Sequence, residues 1–241
     1  MLRRIFGKAQ PSKENLGLGL KPGDAHYRAY IGPPSDYDLV SAMVFNLLTC
    51  AGLRQHHKVL DIGCGSLRNG RLLIPYLNRG KYYGIEPNEW LVKDGISNEI
   101  GNDLVTIKQP AFSFKASMED FPEPLEVDFA LAQSIFSHTG KDLFEQWLRE
   151  LAFHLKPSGA LFGTFLIGDN DFEGNGWIYP SCVLFTPETV QAIANANGLE
   201  FLMLNWHHPR QKWAAFYKPG FDISRMESGD ISWNSLFKNP A

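Results

Sequence analysis

Val59-Leu60-Asp61-Ile62-Gly63-Cys64-Gly65 is the stretch from which the rest of the chain is read. Val59 to Ile62 is a short apolar β run behind polar residues, the pattern of a strand buried in a sheet. Two glycines one residue apart then impose a tight turn and leave the backbone bare. A ligand can approach the main chain there more closely than any Cβ would permit. Leu67 to Leu77 reads as a helix, with Leu73, Tyr76 and Leu77 at helical spacing, and Pro75 inside it predicts a kink or an early end. Strand, Gly-x-Gly turn and helix together open a nucleotide-type βαβ unit.

The neighbours of the turn decide which ligand. A dinucleotide fingerprint wants a third small residue three positions after the second glycine, and that position is Arg68. Asp61 carries more weight. A carboxylate at the strand tip would face a pyrophosphate with like charge, but it attracts a cation. S-adenosylmethionine (SAM) offers an ammonium and a sulfonium there and no phosphate. Lys81-Tyr82-Tyr83-Gly84-Ile85-Glu86-Pro87 is a second strand ending in an acid. Glu86 falls about 20 residues past the glycines, the spacing at which a carboxylate meets the two ribose hydroxyls of an adenosine ligand. A carboxylate accepts both hydroxyl protons.

With Asp61, Gly63, Gly65 and Glu86 agreeing in type and register, the stretch Asp61-Ile62-Gly63-Cys64-Gly65 resembles the first motif of the class I SAM-dependent methyltransferases. Leu155-Lys-Pro-x-Gly-x-Leu161 is similar to a later stretch of the same family. The resemblance covers roughly residues 55 to 218. It implies an α/β fold: a doubly wound, mostly parallel, Rossmann-like sheet of seven strands in the order 3-2-1-4-5-7-6. Strand 7 runs antiparallel, helices cover both faces, and an N-terminal helix lies as a lid over the ligand mouth. The departure is Leu67-Arg68, where many members carry a further glycine. It leaves the contacts at the methionine end open, not the cofactor class.

The division expected is an arm over residues 1–24, a lid segment and helix over 25–54, the SAM-binding domain over 55–218 and a tail over 219–241. The arm mixes Gly, Pro and Ser with basic Arg3, Arg4 and Lys8 and reads as mobile or loosely packed. Asp36 or Asp38 caps a helix running to about Leu53, with Leu39, Met43, Leu47 and Leu48 on one face. Tyr30 and Tyr37 before it are either acceptor-facing lid residues or packing for that helix. Asn88 to about Ile100 reads as a helix interrupted by Gly95. Leu104 to Lys115 holds one strand or two fragments, Leu104–Ile107 and Phe112–Phe114. Trp233 and Phe237 in the tail could dock on the domain.

Within the family pattern, the adenine ring is held just after the third strand, which implies Ser117 and Met118, with Asp120 or Glu119 accepting from its amino group. Cys64 and Pro87 join the cofactor set as neighbours of the motif residues. Val127 to Ser134 is the fourth strand, and residues past the carboxyl ends of such strands line the ligand crevice. That puts Gln133, Ser134 and His138 near the sulfonium and the acceptor. His138 is either a general base on an acceptor hydroxyl or a helix-start histidine bonded to backbone. Lys141 to Leu155 is an amphipathic helix, and Ala160 to Ile167 a fifth buried strand.

The polar loop that follows offers Asp169, Asp171 and Glu173 beside Trp177 and Tyr179, suited to a polyhydroxylated or aromatic acceptor. Its acids lack the spacing of a calcium loop, so no metal is expected. Thr186-Pro187-Glu188 starts a helix that Gly198 closes. Glu200–Trp206 and Gln211–Tyr217 form a hairpin around His207, His208 and Arg210. If its first strand runs parallel to the others, those three residues face the acceptor; otherwise they form a solvated turn.

Composition narrows the rest. The chain has 241 residues, 44% of them apolar and 20% charged, with a net charge of -3. This is ordinary for a globular domain and speaks against a surface that tracks nucleic-acid phosphates. Cys50, Cys64 and Cys182 are odd in number and lack metal-ligand spacing, which suits a reducing, cytoplasmic setting with free thiols. No run is long and apolar enough for a membrane span. The expected function is methyl transfer from SAM, giving S-adenosylhomocysteine, to a small hydroxylated acceptor, by O-methylation of a sugar or secondary metabolite. The expected protein is a monomer or homodimer. A non-catalytic SAM sensor or scaffold is the alternative from another class, and an NAD-dependent reductase the third reading.

Overall fold

The sheet is built outward from the central strand β1 (Val59–Ile62) in the computed structural model, which describes residues 16–227. β2 (Tyr82–Ile85) and β4 (Val127–Ala132) flank β1, both parallel to it. β3 (Ala111–Ser113) extends the sheet beyond β2. On the other side β5 (Leu155–Ile167) runs parallel to β4. β8 (Lys212–Tyr217) and β7 (Glu200–Leu204) complete the order β3-β2-β1-β4-β5-β8-β7. β8 is antiparallel to both its neighbours, so β7 points the same way as the first five. The expected order is therefore present, with one addition: β6 (Leu184–Phe185), a two-residue strand, pairs with the end of β5.

Strand alternation divides the core between the two faces. Phe129 and Leu131 of β4 join one cluster, packed with Val44, Leu47 and Leu73. Ala130 and Ala132 point the other way, into a cluster with Phe144, Leu148 and Val190. Helices α2 (Tyr37–Cys50) and α3 (Gly70–Tyr76) thus cover one face, and α6 (Lys141–His154) and α7 (Pro187–Ala196) the other. A short helix α1 (Tyr27–Tyr30) precedes α2. Thr186 caps α7, its side chain accepting from the Thr189 N–H, with Pro187 at the first turn as expected.

Several expectations are corrected. α2 has no side-chain cap: Asp36 bonds nothing in its first turn, and Asp38 pairs instead with Arg28 and Arg71. Its buried face is Val40, Met43, Val44, Leu47 and Leu48, and Leu39 is exposed. The helix after the glycine turn starts at Gly70, three residues late, because Leu67 takes a left-handed φ of 61°. Pro75 sits one residue from its end and ends rather than kinks it. Leu104–Ile107 is not a strand but part of helix α5 (Asn102–Lys108), and only Ala111–Ser113 reaches the sheet. β5 begins at Leu155, ahead of Ala160, with a register shift between its pairs to Val127 and Phe129. The expected interruption at Gly95 is present: it ends α4 (Glu89–Gly95), and it also lets two elements touch, since a Cβ there would lie 2.4 Å from the Ser66 carbonyl oxygen. A wide π turn, Ile96–Ile100, follows it. Arg3, Arg4, Lys8, Trp233 and Phe237 lie outside the described residues. No helix among the described residues is long and apolar enough to cross a membrane.

Candidate active site

The carboxyl ends of β1, β2 and β4 meet at one edge of the sheet, where a doubly wound fold opens its crevice. Gly63 and Gly65 turn the chain there with φ of +66° and +55°, a conformation that penalises any side chain. The bare backbone is covered by two apolar side chains. A Cβ on Gly63 would fall 2.1 Å from Ile135, and one on Gly65 would fall 3.0 Å from Ile31. Ile135 comes from the turn after β4 and Ile31 from the end of α1, so both flanks of the crevice reach over the glycines.

Asp61 is buried beneath this turn. Its register partner is Gly84, and Val59 pairs with Tyr82, so Tyr82 shares a face with Asp61 two residues along. The Tyr82 hydroxyl donates to Asp61 Oδ2 at 2.8 Å, and Oδ1 is buried without a partner. Burial pushes the Asp61 carboxyl up to about 7, against the pull of the Tyr82 hydroxyl and the Arg68 guanidinium. Arg68 lies in the same crevice, buried. Its Nη2 bonds Gln133 Oε1, its Nη1 reaches the Ile31 carbonyl at 3.4 Å, and its Nε has no partner. Burial lowers it to about 10. A carboxylate oxygen and a guanidinium N–H, both buried and unpaired, therefore sit on one site.

Glu86 closes the other end. Its Oε2 accepts from the Gly65 N–H at 3.1 Å, and its Oε1 from the Asn88 backbone and side-chain amides at 2.8 and 2.9 Å. Burial raises its pKa, and these amides oppose the rise. A carboxylate has about four acceptor directions, so Oε2 keeps room for a further donor. Pro87 beside it is exposed. Cys64 is buried, and its thiol pKa is pushed far up by burial and by Asp61 and Glu86. It packs under the turn, with its sulfur against Gly84.

At the end of β4, Gln133 is buried and Ser134 adopts a left-handed φ of 60°, an unusual strain for a non-glycine residue. The Ser134 N–H donates to Thr164 at 2.8 Å, and its hydroxyl receives Gln133 and Gln211 at 2.8 Å each. The β7–β8 hairpin does lie on this side. His208 Nε2 is 3.2 Å from the Gln133 amide, and its Nδ1 accepts the Gln211 N–H at 3.0 Å. Burial and the nearby Arg68 hold it down at about 3, so it is neutral. Arg210 reaches back to Asp36 at 3.9 Å, and His207 is exposed.

His138 ends a 3-10 turn, Phe136–His138. Its Nδ1 is 2.7 Å from the Ser181 carbonyl. A carbonyl can only accept, so Nδ1 carries a proton and Nε2 keeps its lone pair. Burial lowers its pKa. The ring packs against Tyr179 and Trp177, with centroids 5.1 and 5.8 Å away. Tyr179 bonds the Tyr30 carbonyl, and Tyr30 meets Trp90 edge-on at 5.2 Å.

Three of the candidate residues make structural contacts. Tyr37 is buried, donates to the Ser66 carbonyl at 2.9 Å and carries the Arg28 guanidinium 4.3 Å from its ring, so it braces the glycine turn from behind. Met118 is buried in the core with Phe121 and Leu125. Asp171 accepts from the Thr186 N–H at 2.7 Å and binds the Thr189 hydroxyl at 2.5 Å, at the start of α7. Ser117 is half-buried beside Ser113, whose hydroxyl donates to Asp120 at 2.7 Å, and Glu119 pairs with Lys115 at 2.5 Å. Sequence reading does not mark Arg68 as a candidate for the site, nor Tyr82, Ile31, Ile135 or Trp90. The break in the glycine pattern was the signal for Arg68, and the others have no local one.

Residues 60–161 match a sequence-family model described as a methyltransferase domain. Among solved structures, magnesium protoporphyrin IX methyltransferase from Synechocystis PCC 6803, with S-adenosylhomocysteine bound, aligns with a TM-score of 0.59 at 14% identity. That alignment covers 89% of this chain and 91% of the other. The 1,6-didemethyltoxoflavin-N1-methyltransferase of Burkholderia thailandensis gives 0.53 at 15% identity, over 76% and 78% of the two chains. An O-methyltransferase family protein from the same organism gives 0.55 at 13% identity, over 76% and 57%. At these identities the likeness is one of fold, and the acceptors differ between neighbours.

Proposed function

Because residues 60–161 match a methyltransferase-domain model, we propose that this chain is a class I SAM-dependent methyltransferase that methylates the oxygen of a small hydroxylated acceptor. The observation that carries the reading is the pair of unpartnered buried atoms, Asp61 Oδ1 and Arg68 Nε, beside a bare glycine turn. An amino-acid zwitterion has a cation for the first and an anion for the second. Glu86 at the neighbouring strand tip would take the ribose hydroxyls with its remaining acceptor room. The residues present thus fit SAM from end to end. Cys64 and Pro87 would shape the pocket by packing, and Gln133 and Ser134 would line its acceptor end.

When bound, SAM supplies a methyl carbon on a sulfonium, open to in-line displacement by an acceptor oxygen. The chain's work is to align and to dry. Ile31 and Ile135 cover the glycines and would have to swing outward for the cofactor, then close over it. Alignment of this kind contributes several kcal/mol. His138 Nε2 would take the hydroxyl proton, its tautomer fixed by the Ser181 carbonyl. His208, neutral and accepting the Gln211 N–H at Nδ1, would hold the hairpin to the crevice. The division into arm, lid, domain and tail is part of this proposal, with Phe221 and Ile223 of the expected tail packed into the core of the domain. Three free thiols support a reducing compartment such as the cytoplasm, and a net charge of -3 supports a small-molecule partner over nucleic acid.

The test follows the methyl group. Isotopically labelled SAM is incubated with the protein and a panel of hydroxylated small molecules, and products are read by mass. A methyl ether together with S-adenosylhomocysteine is the expected result. SAM held at unit stoichiometry, with no transfer to any member, would favour a sensor or scaffold instead.

A further inference from the structure

The mouth beside His138 carries a row of rings contributed by separate parts of the chain. Trp90 comes from α4, Tyr30 from α1, and Tyr179 and Trp177 from the loop after β5. Trp177 and Tyr179 lie near-parallel, 22° apart with centroids at 6.2 Å. Tyr179 meets Tyr30 at 5.8 Å, and Tyr30 meets Trp90 at 5.2 Å. These rings are not core. Trp177 is 54% exposed and Trp90 38% exposed, in a chain that buries most of its large aromatic residues. An exposed indole packed on a catalytic-site histidine is a surface prepared for contact.

The polar side chains nearest the rings are already engaged, and the remaining acids of the loop face solvent. Asp171 is held by Thr186 and Thr189. Asp142, facing the loop from α6, accepts the Gly176 N–H at 2.9 Å. The Tyr179 hydroxyl is bonded to the Tyr30 carbonyl. Asp169 and Glu173 are exposed. A sugar needs several fixed acceptors and donors around its ring, whereas a flat aromatic needs faces and a single proton acceptor. The row offers faces, and His138 offers one acceptor.

Resting on the methyltransferase reading, we propose that the acceptor is a planar phenol, laid on Trp177 and Tyr179 with its hydroxyl toward His138 Nε2. The phenol proton passes to Nε2 as the O–methyl bond forms and the carbon–sulfur bond breaks, its electron pair leaving on sulfur. Cys182, exposed and 3.9 Å from His138 Nδ1, borders the same mouth.

Two panels separate the classes: hydroxynaphthalenes, hydroxyquinolines and flavonols on one side, and methyl glycosides on the other. Each is assayed with wild type, Trp177→Ala and Trp177→Phe, and SAM binding is measured separately by calorimetry. Transfer to phenols is expected. Trp177→Ala should raise the phenol KM by about three- to tenfold, the worth of one stacked ring. Trp177→Phe should restore most of it, with kcat and SAM affinity nearly unchanged in both. Transfer to glycosides and not phenols, or a phenol KM within twofold of wild type in Trp177→Ala, would overturn the proposal. SAM bound without transfer to any phenol also overturns it. Failure to bind SAM at all would sink the methyltransferase reading beneath it.

Discussion

Asp61 binds one hydroxyl and leaves its second oxygen bare, and burial holds its pKa at about 7 against a model-compound value of 3.8. If that oxygen receives the ammonium of SAM, it must be ionised when it does so. Below pH 7 binding then has to release a proton, and affinity should weaken by up to about tenfold per pH unit. Calorimetry at pH 8 and pH 6 checks this: the ligand should bind more weakly at pH 6 and expel a proton, and equal affinities would contradict it. The ligand-free protein carries the opposite signature. A raised pKa means the folded state holds the proton longer than the unfolded chain. This stability is present below about pH 4 and lost as pH rises through 7, and Asp61→Asn should flatten that loss in a urea titration series. His138 is lowered by burial from 6.5, so the acid limb of kcat/KM should fall below pH 6.5. His138→Gln should erase that limb and cost about 10²–10⁴ in rate. At this scale the sequence was legible where chemistry is local. Asp61, Gly63, Gly65 and Glu86 follow from spacing along one βαβ unit. For Tyr37 the sequence leaves acceptor-facing and packing roles open, because its partner, the Ser66 carbonyl, lies 29 residues away and no pattern around Tyr37 reports it.

The lid segment is tied down by charges rather than by a helix cap. Arg28 of α1 meets Glu99 at 2.6 Å and Asp38 at 3.1 Å, and Arg71 of α3 meets Asp38 at 2.8 Å. The side chains of Arg28 and Glu99 are both largely buried, and the Tyr27 hydroxyl adds a bond to Glu99 at 2.9 Å. Removing Glu99 leaves the buried Arg28 with only the exposed Asp38 as counter-charge, so Glu99→Ala should destabilise by up to about 3 kcal/mol. Glu89→Ala breaks only the exposed pair to Lys93 and should cost less than about 1 kcal/mol. Chemical denaturation of both variants makes the comparison, and equal losses would refute the tie. Element reading failed where β-branched content misled. Leu104, Val105 and Ile107 resemble a strand, but the segment forms a helix that ends at Gln109 in a left-handed conformation. The strand position beside β2 is filled by Ala111–Ser113.

Across the molecule, the sheet order brings together groups that the sequence keeps far apart. β1, β2 and β4 present Asp61, Glu86 and Gln133 at one edge, and the antiparallel β8 returns the hairpin with His208 to the same edge. The parallel strands were legible from apolar runs ending in Gly, Glu and Gln, but their order came from the family resemblance, because alternation alone does not rank strands across a sheet. Tyr30, Trp177 and Tyr179 are legible one by one as acceptor-facing candidates, but their alignment with Trp90 and the cover of Ile31 and Ile135 are not, since those neighbours are set by tertiary packing. Cofactor binding by this chain would rest on two acids at adjacent strand tips, Asp61 and Glu86, holding opposite ends of one ligand. The deciding measurement is calorimetric titration of SAM into wild type, Asp61→Ala and Glu86→Ala, with NAD as the competing ligand. Wild type should bind SAM and not NAD, and each variant should lose at least tenfold in affinity. SAM affinity within twofold of wild type in either variant would contradict it.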